Sequence, residues 1–468
     1  MASDSALKYD LIVIGAGPAG EKGAAQAAYF GKRVALIEGR DVGGTAVNTG
    51  TLPSKTLRET ALYLSGFRQR GLYGVDYRFD EEVTVDDLIR RERGIVHGHQ
   101  MLVEENIRRH SIEFYHGTAT IEDAHTVLVS RLDGAPVRLT GEVLLIATGS
   151  RPFRPPDVPF DGRAVYDSDS LLHLKHIPRS LIVIGAGVVG SEYATLFAAL
   201  GIEVILIDGR EQLLPSLDRE VSNILAERMG TLGVWLRLGQ VVRRIEIAGQ
   251  RGVCITLERG EELSCEALLF SGGRSGNTDK LGLEQLGVRT STRGLVQVNE
   301  RFQTAVPNIY AAGDVIGPPA LASTSMEQAR VAVCDAFRFE YKQHVSNLVP
   351  QAIYTIPEVS MVGATEQSLQ VKKRPYLVGR ASYRINPRAQ ILGDTTGLVK
   401  LLFDPGDRRV LGVHVIGEQA SELIHIGQAC MHFEGTLDFF IESVFNFPTL
   451  SDLYKYAAYD GLGKLRRR

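Results

Sequence analysis

Tyr9-Asp10-Leu11-Ile12-Val13-Ile14 runs into Gly15-Ala16-Gly17-Pro18-Ala19-Gly20 and then into an alanine-rich stretch. The apolar run reads as a buried strand, the glycines as a tight turn and the alanines as a helix. Gly15 permits the turn, Gly17 lets the backbone approach a pyrophosphate, and Gly20 lets helix and strand pack closely, with phosphate at the helix N-terminus. A second strand, Arg33 to Ile37, ends in Glu38, whose carboxylate falls where such a unit hydrogen-bonds an adenosine ribose. Glycine turns also join strands to helices for steric reasons alone. Here strand, helix and acid agree, and the stretch reads as a dinucleotide-binding unit.

The same arrangement returns at Leu181 to Ile184, Gly185-Ala186-Gly187-Val188-Val189-Gly190 and Val204 to Ile207, ending in Asp208. Two dinucleotide sites therefore lie in one chain. Asp208 favours free ribose hydroxyls, while Arg210 offers a cation to a 2′-phosphate; the plainer reading of Arg210 is a solvated loop residue. Between the two units, Glu113 to Val129 alternates as a small antiparallel layer. Leu144 to Arg151 reads as a buried strand and glycine turn, and Arg151-Pro152 with Pro155-Pro156 as a linker. Beyond Pro350, alternating runs at Gly397–Phe403 and Val410–Ile416 and a helical stretch near Glu418–Phe433 predict a third, α+β domain. The fold class is α/β, with two Rossmann-like dinucleotide-binding domains plus a C-terminal α+β domain.

A length of 468 residues accommodates about three domains at roughly 100 to 200 residues each. A net charge of -3 argues against an electrostatic grip on nucleic acid or anionic membranes. The N-terminal stretch has neither a basic start nor an uninterrupted apolar run, so a cytoplasmic protein without a membrane partner is expected. Cys254, Cys265, Cys334 and Cys430 form no CxxC pair and no metal-ligand spacing; they read as small buried apolar residues, and no metal is expected. The basic tail Lys464 to Arg468 reads as a solvated end.

With these residues in view, the chain resembles the FAD-dependent pyridine nucleotide-disulfide reductase family along nearly its whole length. Besides the two fingerprints, the resemblance rests on Gly43-Gly44 with Pro53-Ser54-Lys55, Ala147-Thr148-Gly149-Ser150, Gly273-Arg274, Tyr310-Ala311-Ala312-Gly313-Asp314 and Pro448-Thr449. It implies an FAD-binding domain over 1–152 and 274–346, an NAD(P)-binding domain over 153–273 and a dimerisation domain over 347–468. By resemblance, the first fingerprint and Glu38 hold the ADP half of FAD, Asp314 hydrogen-bonds its ribityl chain, and the second fingerprint with Asp208 and Arg210 holds NAD(H) or NADP(H). Gly44, Gly117, Ala119, Thr148, Gly149, Gly273 and Ala322 join the implied cofactor-binding set. Lys55 and Glu192 are the implied catalytic pair beside the flavin ring, also counted among the cofactor-binding residues; the plainer readings are a helix-surface lysine and an ordinary helix residue.

The informative departure lies in Gly43-Gly44-Thr45-Ala46-Val47-Asn48-Thr49-Gly50-Thr51-Leu52-Pro53-Ser54-Lys55. The family's two redox cysteines fall on Ala46 and Thr51, neither of which can form a thiolate or a disulfide. The family's catalytic histidine falls on Phe447 and its glutamate partner on Asp452, so the thiol base is lost as well. Within the family, the chain is most similar to the soluble flavin-containing pyridine nucleotide transhydrogenases, through Asn48 to Glu59, Phe445 to Thr449, Gly313 to Gly317 and Ser325 to Gln328. That resemblance implies hydride exchange between nicotinamide nucleotides through flavin, in a homodimer. A diaphorase passing electrons to quinones, and a non-catalytic flavoprotein, are the two alternatives.

Overall fold

The computed structural model describes residues 7–66, 72, 84–249 and 252–466. Arg467 and Arg468 of the basic tail, and residues 1–6 ahead of the first strand, lie outside the described residues. By internal contact the chain divides into two units. The first combines Met1–Thr56, Ile89–Phe153 and Gly273–Ser346; the second combines Leu57–Leu88, Arg154–Gly272 and Asn347–Arg468.

In the first unit the strand Leu7–Ile14 pairs in parallel with Val34–Glu38 on one side and with Val137–Ile146 on the other. Glu113–Ile121 extends the parallel sheet at one edge and Ile309–Ala311 at the other. The strands alternate as a sheet covered on both faces should. Leu11, Val13, Val34, Leu36 and Leu145 pack on one face with the helix Pro18–Tyr29, while Ile12, Ile14, Ala35, Ile37, Leu144 and Ile146 pack on the other. The antiparallel layer expected over 113–129 is present, and it shares a strand with the parallel sheet. Residues 113–116 pair in parallel with Val34–Glu38, and 117–121 pair antiparallel with Thr126–Arg131. Gly117 stands at that handover, where a Cβ would lie 2.5 Å from the Ser130 carbonyl oxygen.

The second unit repeats the device. A parallel sheet runs in the order Val234–Leu238, Glu203–Asp208, Ser180–Ile184, Ala267–Phe270 and Val165–Tyr166. Both fingerprint strands begin one or two residues before the apolar run marks them, because Leu7, Lys8 and Ser180 pair in register although their side chains are not all buried. The same unit holds the expected C-terminal α+β element. Its five-stranded antiparallel sheet has Val359–Gly363, Val410–Ile416 and Leu398–Phe403 at the centre, backed by the helices Ala420–His432 and Leu453–Leu465. Of the four cysteines, Cys265, Cys334 and Cys430 are buried, as expected of small apolar residues, whereas Cys254 is only half-buried on an antiparallel strand; all four are unbridged. Burial pushes the Cys265 thiol up to about 12 and that of Cys430 to about 11.

Lys400, in the apolar strand Leu398–Phe403, is 0% exposed. Its ammonium lies 2.7 Å from Asp218 and 2.7 Å from Glu220, and it also pairs with Glu366. The three carboxylates are close enough together to hold a cation, and Lys400 supplies it. Asp218 meanwhile caps the helix Arg219–Leu232 by accepting the Glu220 N–H at 3.1 Å. Burial alone would raise the Asp218 and Glu220 carboxyls, yet their hydrogen bonds, chiefly from Lys400 to Asp218 and from Arg380 to Glu220, bring both below the ordinary range. Carboxylates held down in this way contribute stability above their unfolded pKa of about 4, and that contribution is lost as pH falls through the folded value. Replacing the ammonium leaves buried charge uncompensated, so Lys400→Met should cost about 3–5 kcal/mol of stability at neutral pH. Denaturant melts from pH 4 to 8 check this, and the loss should shrink towards the acid end.

Candidate functional site

The first glycine turn is set by a carboxylate. Glu38, at the end of its strand, accepts the Ala16 N–H at 2.7 Å on Oε2 and the Arg40 N–H at 2.9 Å on Oε1. That pulls the turn against the neighbouring strand end. Gly15 sits at φ +104°, and a Cβ there would lie 2.3 Å from the Ala147 carbonyl oxygen. A Cβ on Gly20 would lie 1.7 Å from the Gly15 carbonyl oxygen, so helix and strand meet only because that atom is missing. A Cβ on Gly17 would meet only the Gly44 Cα, at an ordinary contact distance of 3.6 Å. Gly17 is the N-cap of the helix Pro18–Tyr29 and no side chain caps it, so the first backbone N–H groups of the helix are not taken by a cap.

Other predicted residues gather at the same carboxyl ends of the parallel strands, where open α/β sheets bind ligands. Thr148 and Gly149 follow the strand Val137–Ile146, and Asn277 fixes both, donating to the Thr148 carbonyl from its side chain at 2.9 Å and to the Gly149 carbonyl from its backbone at 3.0 Å. The Thr148 hydroxyl is buried and meets no partner among the described residues. Asp314 follows the strand Ile309–Ala311 and accepts the Ser150 hydroxyl at 2.9 Å. Arg274 donates to the Ser150 Oγ at 2.7 Å and to its carbonyl at 2.8 Å, leaving its guanidinium 3.9 Å from Asp314. The Gly273 carbonyl accepts the Phe153 N–H at 3.0 Å. Ala322 opens the helix Ala322–Phe337, and Ala119 lies on the strand Glu113–Ile121, partly buried against the core.

The segment that departs from the family pattern is firmly built. The Gly43 N–H donates to the Ala16 carbonyl at 2.8 Å, and Gly44 packs so closely on Gly17 that a Cβ would lie 2.7 Å from its Cα. The Asn48 amide bonds the Gly44 carbonyl at 2.9 Å and that of Val42 at 3.0 Å, while Gln100 donates to Asn48 at 2.8 Å. Ala46 lies on the short helix Gly44–Asn48 and Thr51 begins the helix Thr51–Leu64, which also carries the half-buried Lys55. The loop conformation thus holds through glycine packing and an asparagine cap, with no cross-link.

In the second unit Asp208 takes the place of Glu38, accepting the Ala186 N–H at 2.6 Å. Gly185 has φ +105°, and a Cβ on Gly190 would lie 1.9 Å from the Gly185 carbonyl oxygen. A Cβ on Gly187 would meet nothing within 4 Å. Ser191, one residue past Gly190, is fully buried with an unpartnered hydroxyl among the described residues. Glu192, on the helix Val188–Ala199, is buried and accepts the Tyr354 N–H at 2.9 Å. Lys55 belongs to the first unit and Glu192 to the second. Arg210 forks onto Asp208 through Nε at 2.8 Å and Nη2 at 2.6 Å. Burial favours a raised Asp208 pKa, but the hydrogen bonds from Arg210 and Ala186 hold it below the usual carboxylate value. Sequence reasoning singled out neither Ser150, Asn277 and Tyr354 nor the partnership of Arg274 with Asp314; only the ATGS and Gly-Arg motifs pointed near the first unit's cluster.

Two glycine turns, each tied by a strand-end carboxylate and each leading into an uncapped helix N-terminus, define an architecture with paired dinucleotide-type units. The chain belongs to the pyridine nucleotide-disulphide oxidoreductase family, whose pattern matches residues 9–336, with the family's dimerisation domain over 349–458. It is 45% identical over 461 residues to the soluble pyridine nucleotide transhydrogenase of Mycobacterium tuberculosis, covering 98% of each chain. To the enzyme of the same name from Colwellia psychrerythraea it is 40% identical over 466 residues, covering 99% of this chain and 100% of that one. Among solved structures it is similar to the HOCl-induced flavoprotein disulfide reductase RclA from Escherichia coli, with TM-score 0.85 and 29% identity over 95% of this chain and 99% of that one. It is also similar to LpdA from Mycobacterium tuberculosis, with TM-score 0.89 and 25% identity over 97% and 99% of the two chains.

The glycine geometry separates folding from ligand approach. Gly187→Ala should cost no more than about 1 kcal/mol of stability, because the new methyl enters open space and only the N-cap preference is lost. Gly190→Ala should cost about 3 kcal/mol or more, because the methyl would displace a packed backbone carbonyl. Equal midpoints for the two variants would show that the turn does not pack as described.

Proposed function

We propose that this chain is an FAD-dependent pyridine nucleotide transhydrogenase that moves hydride between NADPH and NAD without a disulfide. The observation that carries the reading is the coexistence of two carboxylate-tied glycine turns with Ala46 and Thr51 at the expected dithiol positions. The curated relatives at 40–45% identity over almost the whole chain carry the same activity in their names. In the proposed division, 1–152 and 274–346 hold FAD, 153–273 takes NAD(H) or NADP(H), and 347–468 forms a homodimer interface. The proposed location is the cytoplasm; no helix among the described residues is long and apolar enough to cross a membrane.

FAD, when bound, supplies the ring that accepts hydride from one nucleotide and gives it to the next. The residues of this chain bind, orient and set charge. Gly15, Gly17, Gly20, Glu38 and Gly44 shape the pyrophosphate approach, and the unpartnered Thr148 hydroxyl offers one polar contact to a group seated there. Ser150, itself held by Arg274, donates to Asp314 and steadies its carboxylate for the cofactor contact. Gly117, Ala119, Gly149, Gly273 and Ala322 support the cradle through backbone placement. Gly185, Gly187 and Gly190 align the substrate nucleotide, and Tyr354 fixes the carboxylate of Glu192. Lys55 carries the cation that lowers the cost of negative charge arising beside it during hydride transfer. Phe447, 74% exposed in the dimerisation domain with Phe433 and Val444 also exposed, brings no proton-transfer group and offers apolar surface to a second copy.

Anaerobic stopped-flow mixing tests the reading. NADPH should bleach the flavin absorbance of the purified protein, and NAD mixed second should restore it rapidly. Slow return with NAD and fast return with a quinone would replace the transhydrogenase reading by a diaphorase. Lys55→Met should slow the bleaching phase about a hundredfold while leaving the protein loaded with flavin.

A further inference from the structure

Ile37-Glu38-Gly39-Arg40, at the end of the second strand of the first unit, recurs as Ile207-Asp208-Gly209-Arg210 in the second unit. The two copies make the same two backbone contacts. The carboxylate accepts the N–H of the alanine inside the glycine turn and the N–H of the arginine two residues on, through Ala16 and Arg40 in one copy and Ala186 and Arg210 in the other. They differ in the arginine side chain. Arg210 lays its fork on Asp208, whereas Arg40 makes no ion pair with Glu38 among the described residues.

The difference decides how many acceptor positions remain. An ionised carboxylate has about four, two on each oxygen. Glu38 uses two, leaving two for ribose hydroxyls. On Asp208, Oδ1 accepts Arg210 N and Nε at 2.8 Å each, and Oδ2 accepts Ala186 N and Arg210 Nη2 at 2.6 Å each. All four positions are filled. A ribose with free 2′- and 3′-hydroxyls therefore gains its acceptors only when the guanidinium leaves. A 2′-phosphate faces the opposite problem, since Asp208 alone repels it and the guanidinium attracts it. Arg210 is free to serve both: its side chain is 52% exposed while Asp208 is nearly buried. Its backbone is pinned, with the Arg210 carbonyl accepting Gly239 N–H at 2.9 Å and the Asp208 carbonyl accepting Gln240 N–H at 3.0 Å, so the side chain can move alone.

We propose that Arg210 is a specificity-determining latch on Asp208, competing with the ribose hydroxyls of NAD(H) and turning outward to pair the 2′-phosphate of NADP(H), so that the two nucleotides bind with similar strength. The proposal rests on the reading that the second fingerprint holds nicotinamide nucleotides. A site that two nucleotides must occupy in turn requires that neither bind so tightly that it excludes the other, and a latch that handicaps only the unphosphorylated one serves this.

The test is calorimetric binding of NAD and of NADP to the oxidised, flavin-loaded protein, where no hydride moves. In Arg210→Ala, NADP should weaken by about tenfold or more, the equivalent of one lost charged hydrogen bond. NAD should tighten by about threefold, because the arginine no longer occupies its acceptors. NAD binding that stays the same or weakens in this variant overturns the latch. Arg210→Lys keeps the charge without the fork and should retain more NADP affinity than the alanine variant; equal losses in both would show that charge at this position does not meet the 2′-phosphate. Wild-type protein that binds neither nucleotide would overturn the underlying functional reading, whereas wild-type binding with parallel losses in Arg210→Ala removes the latch alone.

Discussion

A hydrogen bond from a turn alanine to a strand-end carboxylate organises each half of this molecule. Ala16 with Glu38, at 2.7 Å, and Ala186 with Asp208, at 2.6 Å, join the start of a helix to the end of the adjacent strand. Once that bond is made, the turn has one geometry, and the glycines follow from it by steric necessity. The helix N-terminus then points its unsatisfied donors over the carboxyl ends of the strands, and the remaining site residues collect around that edge. Replacing either acid therefore affects the fold and the ligand approach together.

The loop around Ala46, where the family's dithiol positions are expected to fall, is held without a cross-link. Asn48 bonded to Gly44 and Val42, Gln100 bonded to Asn48, and Gly44 packed against Gly17 hold the loop. The chain's four cysteines lie at other positions, unbridged, and two of them have thiols raised by burial away from the reactive thiolate form. RclA, similar in fold, is named a disulfide reductase. The comparison fits an architecture on which thiol chemistry is added or dropped at a few positions while the nucleotide machinery stays intact.

What was legible in the sequence was local. Both fingerprints, their following acids and the alternating strands of the C-terminal sheet announce themselves within stretches of a few to some thirty residues, because turn geometry and side-chain period act over that range. Partnerships across long separations were not legible. Ser150 meets Arg274 and Asp314, and Glu192 meets the backbone of Tyr354, only after separate segments fold together. Lys400 is the sharpest instance: in Leu398-Val399-Lys400-Leu401-Leu402-Phe403 it interrupts an apolar strand, and its three carboxylate partners come from elsewhere in the chain. The strand spanning Glu113 to Ile121 was readable as β structure, but its division between parallel and antiparallel partners depends on tertiary pairing.

Under the proposed function, hydride passes through flavin with no dithiol in the path. An anaerobic reductive titration of the purified protein with dithionite, followed by absorbance, tests it most directly, since a flavin alone takes up two electrons and a flavin with a redox-active disulfide takes up four. Full bleaching is expected at two electrons per flavin, with no long-wavelength thiolate-to-flavin band on the way. Uptake of four electrons per flavin, or the appearance of that band, would contradict it.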